Sequence, residues 1–295
     1  MKRAFSLFLS SLFLVGGLLS YFSLSANQQT QLNQSPIEKT QPPIFFFIVI
    51  PSYNNEPWCL QTLDSLAIQS YPYWHAYYIN DCSTDKTGEL VEEFVKKYHL
   101  EDKFTIVHNE KRQGALANTY NAIQKAHPND VVMIVDGDDQ LVNDGVCEYV
   151  AAVYAKHPEI WLTYGSYISQ PFMRRSVCKK FPKNIIRTND FRNYKYLSAH
   201  LRTFYAGLFQ LIKKEDLMLN GEFLPSAGDV ATMLPMLEMS SQGHFRFLSK
   251  VLYIYRDNNP LNDFRNRPVQ KRCSDYVRTL PPYKPLTSAS WQNAK

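Results

Sequence analysis

Three aspartates stand within four positions in the segment VVMIVDGDDQL, residues 131–141. They are Asp136, Asp138 and Asp139, and an apolar run precedes them directly. Like charges this close repel one another, so they do not stabilise a fold unless a cation or a hydrogen-bond donor offsets the repulsion. Carboxylate oxygens are the ligands that Mg²⁺, Mn²⁺ and Ca²⁺ prefer, and Mg²⁺ completes its shell with ligand phosphates. The spacing therefore predicts a divalent cation site, with an acidic turn that caps the next helix as the alternative.

The elements that position these aspartates alternate between strand and helix. Continuous apolar runs predict strands at residues 44–50, 74–79, 104–108 and 131–135, and apolar residues at helical spacing lie between them. This order predicts an α/β fold with a mostly parallel, Rossmann-like sheet flanked by helices.

Polar clusters follow all four predicted strands: PSYNNE, NDCS, HNEKRQG and DGDD. Parallel sheets bind their ligands at the carboxyl ends of the strands. We therefore expect the four polar loops to build one site at one edge of the sheet.

These loops resemble those of family 2 glycosyltransferases, which use nucleotide sugars and have the GT-A fold. IVIPSYNNE is similar to the family's first strand and loop, YINDCSTDKT to its second, and VDGDD to its DxD motif. HNEKRQGALANTYNAI and the late segment YRDNNPLND also resemble family segments. The likeness runs from Ile44 to Asp263 and implies a GT-A domain over residues 44–268.

The resemblance implies a role for each matching residue. The residues expected to bind the donor are Pro51, Tyr53 and Glu56 at the nucleoside, Asp81 at the base (most often uracil), and Asp136 near the ribose. Asp138 is expected to bind Mn²⁺ or Mg²⁺ at the diphosphate, and Asp139 is expected to support it. Asn80 and Cys82 depart from the family pattern, which has an acidic residue and Gly there, and this leaves the preference for uracil open.

The resemblance also implies a catalytic base and further contacts in the second half of the chain. Asp229 in PSAGDVATML is expected to be the base, with a helix N-cap as its alternative role and Glu215 and Asp216 as alternative bases. His200 and Arg202 in HLRTF are two positions apart, so on a strand they would face the same side. Arg202 is expected to pair with phosphate oxygens of the donor, and His200 to contact the acceptor or the diphosphate.

The implied function is that of an inverting, metal-dependent glycosyltransferase. It would move a sugar from a nucleotide-diphosphate donor, a UDP-sugar, to a hydroxyl group on a glycan, a lipid or a protein. The alternative is a catalytically inactive scaffold that binds nucleotide sugars or glycans. A nucleotidyltransferase is disfavoured because PSYNNE lacks the glycine-rich, basic loop of that class.

The N-terminus predicts a membrane contact. Residues Ala4–Leu24 carry no charge and follow Lys2 and Arg3, so residues 1–26 are expected to form a single-pass signal anchor or a cleaved signal peptide. After cleavage the protein would be secreted or periplasmic. Residues 27–43 read as a polar stalk, and residues 269–295 as a C-terminal tail.

Net charge and cysteine content exclude few classes of function. The formal net charge is +5, and no basic run indicates a nucleic-acid-binding tail. The basic residues between Arg174 and Lys183 are expected to form a solvated face or to approach anionic lipid. Five scattered cysteines form no CxxC pair, so we expect buried thiols and no zinc site.

Overall fold

The computed structural model describes residues 42–293. The predicted anchor or signal segment, residues 1–26, and most of the predicted stalk lie outside the described residues. Within the described part, no helix is long and apolar enough to cross a membrane.

The centre of the domain is one eight-stranded sheet with the strand order β3-β2-β1-β4-β7-β6-β10-β5. The strands are β1 (Phe46–Ser52), β2 (Trp74–Asn80), β3 (Phe104–His108), β4 (Val131–Ile134), β5 (Gln140–Leu141), β6 (Leu162–Gln170), β7 (Arg202–Tyr205), β8 (Met218–Leu219), β9 (Glu222–Phe223) and β10 (Phe245–Arg256). Strands β8 and β9 form a separate two-stranded sheet.

The central strands are parallel and buried on both faces. Strand β1 pairs in parallel with β2 and with β4, and all seven of its residues are buried. This burial explains why β1 reads as a continuous apolar run. Strand β7 is antiparallel to β4 and β6, whereas β10 runs parallel to β6. The predicted α/β fold with a mostly parallel sheet is thereby confirmed.

Eight helices among the described residues cover the sheet or extend from it. They are α1 (Cys59–Ala67), α2 (Thr87–Lys97), α3 (Ala115–Ile123), α4 (Val146–Lys156), α5 (Lys183–Thr188), α6 (Ala206–Gln210), α7 (Gly228–Met239) and α8 (Arg267–Thr279). Short 3₁₀ helices occupy Lys214–Leu217, Asp263–Arg265 and Ser290–Asn293.

The second half of the chain combines elements that sequence patterns alone leave ambiguous. The segment around HLRTF holds a strand, β7, that runs directly into a helix, α6. Strand β10 is irregular, because its register against β6 shifts between Leu248 and Tyr253. Pro235 lies in the interior of α7.

Residues 269–295, which we expected to form a tail, contain most of α8. Cys273 and Val277 on this helix are buried, and the backbone N–H of Leu286 donates to the carbonyl of Met239 in α7. Trp291 is also buried, with 6% of its surface exposed. The described part of this segment therefore packs against the domain and contributes to its core.

All five cysteines lie in the described region and are free thiols. Cys82 is partly exposed, and the other four, Cys59, Cys147, Cys178 and Cys273, are buried. The sequence prediction of mainly buried thiols is confirmed.

Candidate active site

A cleft of about 320 Å³ opens at the carboxyl ends of β1, β2 and β4. The chain places β2 and β3 on one side of β1 and β4 on the other, and such a switch point leaves a crevice at the strand ends. Ser52, Asp81 and Asp136, which lie at or directly after these strand ends, all line the cleft. The parallel sheet thereby brings together loops that are far apart in the sequence.

Asp81 organises the loop that leads into α3. Its Oδ1 accepts hydrogen bonds from the Asn109 side chain and the Gln113 backbone, each at 2.8 Å, and its Oδ2 accepts one from the Gly114 backbone at 2.8 Å. Burial favours the neutral acid, but these hydrogen bonds outweigh it and lower the pKa of Asp81. The side chain is therefore an ionised, oriented acceptor at the cleft wall.

An aromatic ring and a cation lie together at the same end of the cleft. The Arg112 guanidinium stands 3.8 Å from the centroid of the Tyr53 ring, and both residues line the cleft with Pro51. Such a pair offers a flat surface and a positive charge to a nucleotide. Glu56 does not line the cleft; its carboxylate accepts a hydrogen bond from the backbone of Lys86 at 3.1 Å.

The two departures from the family pattern have local explanations. The Asn80 side chain lies 3.0 Å from Nδ1 of His108 and accepts a hydrogen bond from the Ser83 backbone at 3.2 Å. It therefore holds the loop after β2. Cys82 has a φ of 62°, a left-handed conformation that glycine adopts without strain.

The three clustered aspartates point in different directions. The Oδ2 atom of Asp136 lies 3.6 Å from Nε2 of His200 and 3.7 Å from a guanidinium nitrogen of Arg202. Oδ2 of Asp138 accepts a hydrogen bond of 2.6 Å from the Asn259 side chain. Oδ1 of Asp139 accepts one of 2.6 Å from the Arg256 backbone. Gly137 permits this turn because a Cβ there would lie 2.5 Å from the side chain of Ser52.

The electrostatics of this cluster suit a cation. Burial and the Asp136 charge raise the pKa of Asp138 to about 6, against the hydrogen bond from Asn259. Burial and the charges of Asp138 and Asp136 raise the pKa of Asp139 well above its ordinary value. Burial and the neighbouring Arg202 hold the pKa of His200 well below its ordinary value, so its ring is neutral and can act as a ligand.

Ligand atoms of Asp136, Asp139 and His200 lie within 4.8 Å of one another. Oδ2 of Asp139 is buried and has no hydrogen-bond partner among the described residues. Two carboxylates and a neutral imidazole fit Mn²⁺ or a related divalent cation. Asp138, the predicted ligand, lines the cleft beside this set but is turned toward Asn259.

Two aromatic rings hold His200 in place. Its ring stacks on that of Tyr253 at 4.6 Å between centroids and 3° between planes, and it lies 5.5 Å from the ring of Tyr255. The Arg202 side chain is 8% exposed. Both His200 and Arg202 line the cleft. The buried Arg202 guanidinium therefore places a positive charge beside the Asp136 carboxylate, 3.7 Å away.

Asp229 lies in the first turn of α7 and lines the cleft. The turn before it is held by Asp263, whose Oδ2 accepts hydrogen bonds from the Ser226 hydroxyl at 2.8 Å and the Ala227 backbone at 3.3 Å. The alternative bases are elsewhere. Glu215 and Asp216 belong to a 3₁₀ helix and do not line the cleft. Asp216 accepts a hydrogen bond from the Tyr283 hydroxyl.

The cleft thus brings together most of the predicted site. The predicted residues that line it are Pro51, Tyr53, Asp81, Asp136, Asp138, His200, Arg202 and Asp229. Glu56 and Asp139 do not. Sequence reasoning did not single out Arg112, Asn259 or Asp263, although each lies in a segment whose resemblance to the family was noted. Their individual roles depend on partners that lie far away in the chain.

Comparison with known proteins agrees with this geometry. Residues 47–215 match the family described as "Glycosyl transferase family 2". Among curated proteins, the poly(ribitol-phosphate) β-N-acetylglucosaminyltransferase TarS of Staphylococcus aureus is 28% identical over 119 residues, which cover 40% of this chain and 20% of TarS. The uncharacterized glycosyltransferase EpsJ of Bacillus subtilis is 24% identical over 228 residues, 75% of this chain and 64% of EpsJ. The chain therefore spans less than two thirds of either relative.

A solved structure shows the same fold. The crystal structure of S. aureus TarS residues 1–349 with UDP-GlcNAc superposes with a TM-score of 0.56 at 21% identity, covering 75% of this chain and 61% of that one. The likeness supports the predicted GT-A fold.

Proposed function

The chain belongs to glycosyltransferase family 2, and from this premise we propose that it is an inverting, metal-dependent transferase that uses a UDP-sugar. The observation that carries the proposal is the cleft in which Asp136, Asp138, His200, Arg202 and Asp229 meet. The family match confirms the glycosyltransferase class predicted from the sequence.

We assign the nucleoside to the end of the cleft at β1 and β2. Tyr53 and Arg112 offer a flat, positively charged surface, and the ionised Asp81 can accept a hydrogen bond from an N–H of the base. The related TarS has been crystallised with UDP-GlcNAc and with UDP, which supports a UDP-sugar donor. Asp136 is assigned two contacts, one with the ribose and one with the cation.

The diphosphate is assigned to the space between the aspartate cluster and Arg202. Asp136, Asp139 and His200 would hold Mn²⁺ or Mg²⁺, with Asp138 as a further ligand if it leaves Asn259. The bound cation would stabilise the negative charge that develops on the departing diphosphate. Arg202, buried and aimed into the cleft, adds a fixed positive charge for the same leaving group.

Asp229 is assigned as the general base. In an inverting reaction the acceptor hydroxyl attacks the anomeric carbon from the face opposite the diphosphate, so the base must stand across the cleft from the phosphate groups. Asp229 stands at the start of α7, and Asp263 fixes the preceding turn. Its carboxylate would take the proton of the acceptor hydroxyl as the new glycosidic bond forms.

The acceptor is assigned only by class, as a hydroxyl group on a glycan, a lipid or a protein. We also retain membrane attachment through residues 1–26 as part of the proposal, with secretion or periplasmic release after cleavage as the alternative. This part rests on the uncharged stretch Ala4–Leu24 alone.

The proposal is tested by incubating the full chain with a panel of nucleotide sugars, with Mn²⁺, Mg²⁺ or a chelator. We expect one UDP-sugar to be turned over with water or an added glycan as the acceptor. NMR should show an inverted anomeric centre in the new glycoside, or in the released sugar before it mutarotates. Asp136→Asn and Asp229→Asn should each lower turnover by about 100-fold or more, whereas Asp144→Asn, an exposed acid after β5, should not lower it. Binding of the donor without turnover under any condition would support the non-catalytic scaffold instead.

A further inference from the structure

A second groove lies away from the aspartate cluster and is larger than the cleft, at about 700 Å³. Its wall is the first half of β6 and β10, where Phe245 pairs with Leu162 and Phe247 pairs with Tyr164. The cleft instead uses residues at the far end of β10, such as Tyr255. No described residue lines both cavities. We call this cavity the basic groove.

The rim of the basic groove is positively charged. Lys156, Lys180, Lys183 and Arg246 line it and are exposed, and none of them forms an ion pair with another described residue. The lining residues include no aspartate or glutamate. The acid Glu159 contacts His157 at the edge, with 3.3 Å between Oε1 and Nδ1. Like charges around one cavity repel, so an anionic ligand would be bound favourably.

The floor of the basic groove is aromatic. Tyr164 and Phe181 are buried beneath it, with 5.8 Å between their ring centroids, and the half-buried rings of Phe245 and Phe247 complete it. Apolar surface that is left in contact with water costs free energy, which an apolar ligand would recover. Rim and floor together therefore select a ligand that is anionic at one end and apolar at the other.

The segment that supplies Lys180 and Phe181 also presents apolar side chains to solvent. In residues 171–183, Phe172, Met173 and Val177 are 57%, 60% and 53% exposed. This segment, PFMRRSVCKKFPK, contains five basic residues and no acidic residue. Phe172 and Met173 follow Gln170 at the far end of β6, and the segment returns from there to the groove, where the Tyr164 hydroxyl donates to the Lys179 carbonyl. Exposed apolar side chains among cations along one segment are the pattern of a surface that meets an anionic bilayer.

We propose that the basic groove binds an anionic phospholipid at a membrane surface. The phosphate lies among Lys156, Lys180, Lys183 and Arg246, the first part of an acyl chain covers the aromatic floor, and Phe172 and Met173 enter the bilayer interface. This site is separate from the cleft and does not depend on the donor or on the transfer reaction.

The binding test uses the full chain and soluble short-chain lipids, so that the apolar segment Ala4–Leu24 does not decide the result. Dihexanoyl phosphatidylglycerol, below its micelle concentration, should bind about tenfold or more tightly than dihexanoyl phosphatidylcholine in calorimetry. Lys156→Glu combined with Lys180→Glu should weaken phosphatidylglycerol binding by about tenfold or more. Lys97→Glu, at an exposed position on α2, should leave it unchanged. Equal affinity for both lipids, or an unchanged affinity in the double variant, would overturn the site.

A second arm decides whether the ligand comes from a bilayer. A solvent-sensitive fluorophore on Met173→Cys should shift to the blue on phosphatidylcholine vesicles that contain phosphatidylglycerol, and not on pure phosphatidylcholine. The same fluorophore on Tyr98→Cys, an exposed control position directly after α2, should not shift. Tight binding of the short-chain lipid without a shift at residue 173, or equally tight binding of inorganic phosphate, would refute the membrane assignment. The double variant should turn over the donor as the wild type does. Failure of the lipid site can then be distinguished from failure of the proposed transferase activity.

Discussion

Replacing Asp138 by asparagine should stabilise the metal-free protein at neutral pH. The carboxyl group is 8% exposed, and burial raises its pKa from 3.8 to about 6. The folded protein therefore holds the proton more tightly than the unfolded chain does. Below pH 3.8 both states are protonated and the group costs nothing. As pH rises from 3.8 to 6 the free energy of unfolding falls, and above pH 6 the loss is complete.

The magnitude follows from the size of the shift. A difference of about two pH units, at about 1.4 kcal/mol for each unit, is a loss of roughly 3 kcal/mol at pH 7.5. Asparagine has the same shape, its side-chain oxygen can still accept the hydrogen bond from Asn259, and it carries no charge. The Asp138→Asn variant should therefore be more stable than the wild type by about 3 kcal/mol at pH 7.5, and by about 1 kcal/mol at pH 4.5.

The assay is urea denaturation of the full chain with a chelator present, followed by circular dichroism at both pH values. Asp144→Asn, an exposed acid after β5, is the control and should show no such difference. Addition of Mn²⁺ should stabilise the wild type more than the variant. The reasoning is refuted if the variant is the less stable protein at pH 7.5, or if its advantage does not grow between pH 4.5 and pH 7.5.

Three further substitutions test other parts of the structure. Asp229→Asn should lower kcat by about 10²- to 10⁴-fold with little change in donor affinity, measured by steady-state kinetics and calorimetry; an unchanged kcat would exclude the base role. Arg192→Met should cost about 3–5 kcal/mol in urea denaturation, because Arg192 donates to both carboxylate oxygens of the fully buried Glu238. A loss below about 1 kcal/mol would contradict this. Gly137→Ala should cost about 1–3 kcal/mol by the same assay, because the added methyl group would lie 2.5 Å from the Ser52 side chain; unaltered stability would show that the turn can move.

Much of the donor end of the site was predictable from the sequence because it depends on strand order. Pro51, Asp81 and Asp136 follow apolar runs, and parallel strands place their carboxyl ends at one edge whatever the side chains do. Glu56 also follows β1 closely, but it does not line the cleft, and its role in donor binding stays a prediction. Its backbone direction in the turn carries the carboxylate to Lys86 instead, and no sequence pattern reports that direction.

The sequence by itself determined the parallel sheet, the clustering of its polar loops and the family, because hydrophobic periodicity and short motifs are local properties of the chain. Only the tertiary structure decided which oxygen of which aspartate is free. Asp139 is bound by the backbone of Arg256, 117 residues away, and Asp138 by Asn259, 121 residues away. His200 joins Asp136 because Tyr253 and Tyr255 stack against its ring. These contacts arise because β7 and β10 join the same sheet as β4, and local sequence carries no record of such long-range pairing.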